Sequence, residues 1–449
     1  VTEDRGSFIG LLRDLGIPAI PGTSAYTRQE ALQAARLMDF PVVVRPSYVL
    51  GGRGMAIVQT EEEILSYFDE ASEEARGHGV LIDKYVLATE VEVDVVSDGV
   101  DCYIPAVMEH VERAGVHSGD SIAQIPPRTL SPLAMERILA YTEALCRALP
   151  IRGIANIQYV VDGDTVFCLE VNPRASRTVP FVTKVTGFPV IKVATGLSLG
   201  RSLRSYGIRG GYGPLPRLCA VKMPVFSWSK MLVDPVVGPE MKSTGEVMGV
   251  GEDLSQALFK AFAAQGIVGL RGGAGALLTV ADRDKPAILE AAKTLTDAGW
   301  RLYATKGTAR FLAENGVQTE TVLKLSERAS EASAESETQR VSESDEDLRD
   351  IPAIIASGRV QVVINTFTKG GHEERDGYKI RALAVRRGIP VLTCPETATA
   401  LASRLSSRSR TLSSRSMLTA TIRSVDGRCT LTLSRWQEGC QTTLKQKSR

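Results

Sequence analysis

Apolar positions at helical spacing from Phe8 to Leu15, closed by Gly16 and Pro18, predict an amphipathic helix, and Thr27 to Met38 predicts a second. Between it and a glycine-rich stretch, Pro41-Val-Val-Val-Arg-Pro46 reads as a short buried strand ending in a charge. Thr60-Glu-Glu-Glu63 is a capping box that opens a helix to about Arg76. Val80 to Val86 reads as a strand and linker. Glu90-Val-Glu-Val-Asp-Val-Val96 then alternates acidic and apolar residues, so Glu90, Glu92 and Asp94 share one face. Ser131-Pro132 caps a helix running to about Leu149. The strongest hairpin signal is Asp162-Gly-Asp164 between the strands Ala155 to Val161 and Thr165 to Val171. Pairing across that turn sets Gln158 near Glu170.

Further along, Ala276 to Val280, Trp300 to Ala304 and Val360 to Ile364 read as parallel strands, with a helix from Pro286 to Ala298. Leu325 to Asp350 carries nine acidic and three basic residues and repeated serine, and is expected to be a disordered insertion. From Arg404 the chain carries ten basic and two acidic residues with abundant serine, which predicts a disordered basic tail.

Composition narrows the class without naming a partner. The 449 residues allow two or three domains, and 53 basic against 52 acidic residues create no global field for nucleic acid or membrane. Seven scattered cysteines without CxxC pairs fit a reducing compartment, and no apolar run approaches a membrane span, so the expected location is the cytoplasm. The opening on Val1, straight into a helix, suggests a start inside a larger gene product.

The chemistry concentrates at Phe167 to Thr178. On a strand ending at Pro173, Glu170 and Asn172 project to one side. Carboxylate and amide oxygens suit a hard cation such as Mg2+, which commonly takes one or two carboxylates and leaves the rest of its shell to water and substrate phosphates. Arg174 and Arg177 follow with planar donor forks suited to phosphate. Arg45 is either a strand-end residue reaching solvent or a phosphate ligand. Ser47-Tyr-Val-Leu-Gly-Gly-Arg-Gly54 frees backbone N–H groups to approach a phosphate, although a hairpin turn would look similar. It is no Walker A motif. The Val80 to Val86 backbone could pair with an adenine edge and Glu90 with ribose hydroxyls, whereas Glu92 and Asp94 are expected on an exposed sheet face. Met108 to Ser121 is polar and glycine-punctuated and holds two of the four histidines, His110 and His117, each a ligand or a structural histidine.

Taken together, RPSYVLGGRGM at 45–55, MEHVERAGVHSGDS at 108–121, NIQYVV at 156–161, LEVNPRASRTVPFVTKVTG at 169–187 and GPEMKSTGEVMGVG at 238–251 resemble the large subunit of carbamoyl-phosphate synthetase. Its second half, which phosphorylates carbamate, is the better match. The resemblance implies an α+β ATP-grasp domain followed by an α/β Rossmann-like domain similar to methylglyoxal synthase. The expected divisions are ATP-grasp 1–205, remaining synthetase core and connection 206–271, regulatory domain 272–402 with the insertion 325–350, and tail 403–449.

It further implies ATP and Mg2+ or Mn2+ as cofactors, with K+ as a further candidate. Arg5 and Arg45 would contact phosphates, Gly51 and Gly52 would cover them, and Lys84, Val86 and Glu90 would surround adenine and ribose. Gly115, Val116, His117 and Ser118 would line the nucleotide site; Gln158, Glu170 and Asn172 would hold the metal; Arg174 would face the reacting phosphoryl group. Lys285, Thr305, Thr308, Lys324 and Asn365 could bind a nucleotide effector, with Phe367 standing where the family has threonine. The implied partners are carbamate, the N-terminal ATP-grasp half and a glutaminase, in pyrimidine or arginine synthesis. A non-catalytic nucleotide-binding regulatory fragment and another ATP-grasp ligase or carboxylase are the alternatives.

Overall fold

Four short strands near the N-terminus, three of them runs of β-branched and apolar residues, build the first layer. The strands Gly22–Ala25, Val80–Lys84, Val42–Pro46 and Ala56–Val58 lie side by side in that order, all antiparallel. The helices Arg28–Met38 and Glu61–Glu70 pack on this sheet through Ala31, Ala35, Ile64 and Phe68, against Val42, Val44 and Ile82. Both starts follow the sequence: Thr27 Oγ1 accepts from Glu30 N, and Thr60 Oγ1 accepts from Glu63 N. The structure, a computed structural model, describes residues 2, 4–46, 54–70, 79–231, 233–265, 267, 273–324, 326–327, 350–366, 376–407, 417–425, 428–437 and 440–444. Gly51, Gly52, Phe367 and, apart from residues 326, 327 and 350, the acidic insertion lie outside the described residues.

The second layer is an eight-stranded sheet in which Thr89–Asp98 pairs antiparallel with Arg152–Asp162. Cys102–Arg113 flanks the first of these and Thr165–Asn172 the second, so the hairpin read at Asp162-Gly-Asp164 forms as expected, with Gly163 at φ 57°. One face packs on the helix Pro132–Ala148, capped by Ser131 as its sequence predicts, through Ile138 and Leu145. The helices Val179–Thr186 and Val190–Ser198 cover part of the sheet through Phe181, Val182, Val193 and Leu197. Two strands from further along, Cys219–Val225 and Gly245–Gly251, extend the sheet beyond Ala123–Ile125. The helix Leu254–Ala264 lies so close to the outer strand that a Cβ on Gly249 would sit 1.9 Å from Ala257 O.

The third layer is a five-stranded parallel sheet ordered Glu320–Val322, Arg301–Thr305, Gly275–Thr279, Val362–Asn365 and Val391–Leu392. Parallel strands sandwiched by helices must be apolar on both sides, and Leu277, Leu278, Val363 and Ile364 are fully buried. The strands and the helix Lys285–Asp297 agree with the sequence reading. The basic tail does not. In place of disorder, Met417–Val425, Arg428–Gln437 and Cys440–Leu444 pair as an antiparallel three-stranded sheet. The run Cys-Thr-Leu-Thr-Leu-Ser at 429–434 alternates with the period of a strand, a local pattern that overall charge and serine content hide.

Candidate active site

Antiparallel pairing of three strands gathers the polar side chains. Gln158 stands opposite Glu170 and Asn156 opposite Asn172, while on the other side Glu92 faces Gln158 and Asp94 faces Asn156. Asn172 Nδ2 donates to Glu170 Oε1 at 2.7 Å, and Gln158 Nε2 donates to Ser118 Oγ at 3.2 Å. Both amides thus use nitrogen on the protein, which leaves their carbonyl oxygens, with Glu170, as hard acceptors. That donor set fits Mg2+. Among the described residues no three His, Cys, Asp or Glu side chains form a metal-holding group, so an ion here would need water or phosphate oxygens to complete its shell.

The loop from Gly115 to Ser121 is fixed beside this set from several directions. Gly115 adopts φ +102°, and a Cβ there would lie 2.9 Å from Ile57 and from the Tyr85 ring, so only glycine fits. Val116 is buried. His117 N–H donates to Gly238 O at 2.7 Å, its Nδ1 accepts from Gly119 N–H at 3.0 Å, and burial lowers its pKa. Lys222, from the Cys219–Val225 strand, is 1% exposed and donates Nζ to Ser118 O at 2.8 Å. The Asp120 carboxylate accepts from Lys242 N and Ser243 N at 2.8 and 2.9 Å.

Glu92 and Asp94, expected on an exposed face, are buried at 2% and 0% exposure. Their cover comes from distant segments. Ser176 Oγ and Thr178 Oγ1 both donate to Asp94 at 2.7 Å, and Asn156 Nδ2 bridges Glu92 and Asp94 at 2.7 and 2.9 Å. A register shift between Thr89 and Val91 accompanies the insertion of His110 between Glu90 and Glu92, at 3.8 and 3.5 Å. The environments separate the carboxylates. Burial pushes Glu90 up to about 7, and burial with repulsion from Glu92 pushes Asp94 up to about 6. Burial also acts to raise Glu92, but hydrogen bonding and charge from His110, the Lys222 charge and the Asn156 amide outweigh it and lower its pKa.

Glu90 therefore carries a pH signature. Its folded pKa near 7 exceeds the ordinary 4.5, so the stability tied to its proton is full below about pH 4.5 and lost as the pH rises through 7. Glu90→Gln fixes the neutral form. It should equal wild type near pH 4.5 and gain about 3 kcal/mol by pH 8, in proportion to the shift. Urea unfolding at the two pH values measures this, and an equal effect at both would exclude the raised pKa.

The remaining expected residues form separate groups. Arg5 and Arg45 converge on Asp83, Arg5 through a direct hydrogen bond and Arg45 at 3.5 Å. Arg45 is therefore paired at its strand end instead of simply reaching solvent. A Cβ at Gly22 would collide with Asp83 Oδ1. Lys84 is exposed, Val86 is half-buried and Glu90 is buried. Arg174 is exposed, with Nη1 donating to Ala175 O at 3.2 Å. In the parallel sheet, Lys285 Nζ donates to Gly307 O at 2.8 Å and meets Asp282 at 2.6 Å. Thr305 and Thr308 hydroxyls approach within 3.4 Å, Lys324 N–H donates to Glu327 at 3.0 Å, and Asn365 is buried at the adjacent strand end. These groups occupy strand carboxyl ends and the start of the helix Lys306–Glu314, where parallel sheets bind ligands.

Sequence reasoning missed Asp83, Asn156, Thr178 and Lys222. For Lys222 a signal existed: a single cation within the apolar run Cys-Ala-Val-Lys-Met-Pro-Val must find a buried partner. Among the described residues, no helix is long and apolar enough to cross a membrane.

Residues 4–206 match the family profile described as carbamoyl-phosphate synthase L chain, ATP binding domain, and residues 287–393 match the MGS-like domain. Similar solved structures include a biotin carboxylase–beta-gamma-ATP complex from Campylobacter jejuni, 17% identical with a TM-score of 0.47, covering 58% of this chain and 65% of that one. Another is the biotin carboxylase domain of Hydrogenobacter thermophilus 2-oxoglutarate carboxylase with MgADP, ADP and bicarbonate, also 17% identical, with a TM-score of 0.45 and coverage of 59% and 65%. The chain thus spans about 65% of the length of these two structures.

Proposed function

Taking as premise that this chain joins an ATP-grasp domain to an MGS-like domain, the architecture of the C-terminal half of the carbamoyl-phosphate synthase large subunit, we propose that it phosphorylates carbamate with ATP. The observation that carries this reading is the convergence of Gln158, Glu170 and Asn172 beside the Gly115–Ser118 loop, within the matched region.

In the reaction a carbamate oxygen attacks the γ-phosphorus of ATP. The new P–O bond forms as the bond to the β,γ-bridging oxygen breaks, and ADP leaves with that electron pair. No proton has to move, so no general base is assigned. Catalysis by the protein is alignment and charge neutralisation. Gln158, Glu170 and Asn172 would hold Mg2+, which when bound supplies positive charge at the terminal phosphates. Arg174, exposed next to this set, would meet the transferring phosphoryl group; Arg5 and Arg45, oriented by Asp83, would bind phosphate oxygens. Lys84, Val86 and Glu90 would border adenine and ribose. Carbamate would be delivered by an N-terminal ATP-grasp half supplied with ammonia by a glutaminase. Lys285, Thr305, Thr308, Lys324 and Asn365 would receive a nucleotide effector.

The test is the reverse partial reaction, ATP formation from ADP and carbamoyl phosphate by the whole chain with Mg2+. Turnover supports the assignment. Folded chain that binds ATP without turnover would favour a nucleotide-binding regulatory role.

A further inference from the structure

The parallel sheet and the nucleotide loop are joined by an arginine that neither site reading uses. Arg381, on the helix Asp376–Arg386, is 4% exposed, and a guanidinium so deeply placed requires an anion. It has one in another part of the chain. Nε donates to Asp234 Oδ1 at 2.6 Å and Nη2 donates to Asp234 Oδ2, a two-pronged charge-assisted contact. The other terminal nitrogen, Nη1, donates to Asn365 Oδ1 at 2.5 Å. A Cβ on Gly377 would lie 3.2 Å from that nitrogen, so the helix start closes around the junction.

Beyond Asp234 the backbone runs directly to the other site. Val237 N–H reaches Thr393 Oγ1 at 3.4 Å, Lys242 Nζ donates to Val236 O at 2.7 Å, and Gly238 O accepts the His117 N–H. Lys242 and Ser243 N–H groups then hold Asp120. Four residues after the ion pair, the segment is bonded to the loop whose Ser118 Oγ receives Gln158.

We propose that Arg381 is a positioning residue for the Gly115–Ser121 loop, and that it ties this loop to Asn365 at the ligand end of the parallel sheet. A ligand that takes the Asn365 oxygen or draws the guanidinium alters the hold on Asp234, and the Gly238–His117 bond loosens or tightens with it. The inference rests on the reading of the two ligand ends given above.

Hydrogen exchange of the whole chain without nucleotide reads the link independently of activity. In Arg381→Met and in Asp234→Asn, the 114–121 backbone should exchange at least about tenfold faster, while the 275–279 strand keeps its protection. The double variant should be no faster than the faster single one, because both remove the same contact. Should Arg381→Met fail to fold, Asp234→Asn, on a half-buried loop, decides alone. Wild-type protection of 114–121 in folded Asp234→Asn overturns the proposal. In a chain active in the partial reaction, both variants should also raise KM for ADP more than they lower kcat. A chain inactive in that reaction defeats the functional reading and leaves the exchange result standing.

Discussion

Glu170→Ala is expected to lower kcat for ATP formation from ADP and carbamoyl phosphate by about 10²–10³-fold, the usual scale for losing one group aimed at transition-state charge. Glu170 is the carboxylate among the three proposed metal ligands, and the amides of Gln158 and Asn172 carry no charge to replace it. The loss should not spread to the fold. Glu170 is only half-buried, and its described hydrogen bond is the one received from Asn172. Nucleotide binding should persist, since Arg5, Arg45 and the Gly115–Ser118 backbone lie on other elements. Steady-state kinetics with a parallel ADP-binding titration separates these effects. If kcat stayed within a few-fold of wild type, Glu170 would have no place in the phosphoryl-transfer step.

The part of this site that sequence made legible is the part built by neighbours in the chain. The Asp162-Gly-Asp164 turn pairs its two strands, and the two-residue period puts Glu170 and Asn172 on one side. Counted from the turn, however, Gln158 would face Leu169, and it is a register shift between Gln158 and Tyr159 that brings it opposite Glu170. What could not be read depends on segments that arrive later. Whether Glu92 and Asp94 are wet or dry is decided by Ser176 and Thr178, which are 82 or more residues away from Asp94. The alternating charge pattern is the same in either case. His110 enters the acidic face through a strand irregularity that no periodicity announces. Arg381 meets Asp234 across 147 residues of sequence. The parallel sheet was readable because its strands are continuously apolar. The tail strands are hard to read because their short alternation lies within a segment whose net charge and serine content are those of a disordered chain.

Lys222→Met should be the most destabilising of these substitutions. The side chain is 1% exposed, and its ammonium lies within the electrostatic reach of Glu92, Glu246 and Glu112. Burial lowers its pKa while those carboxylates oppose the change. Methionine keeps the length and much of the apolar contact, so the main loss is charge. Glu92, held in its ionised form partly by Lys222, would remain buried with its counter-charge removed, at a cost of about 3–5 kcal/mol. The Ser118 carbonyl would also lose its donor. Adding Glu92→Gln removes the stranded charge while retaining hydrogen-bonding capacity toward Asn156, and should recover more than half of the loss. Urea unfolding of the two single variants and the double variant at pH 7 measures the coupling. Additive losses would mean that Lys222 acts through packing and the Ser118 bond alone. Recovery by Glu92→Gln would identify charge balance as what holds this acidic face beneath the Gly115–Ser121 loop.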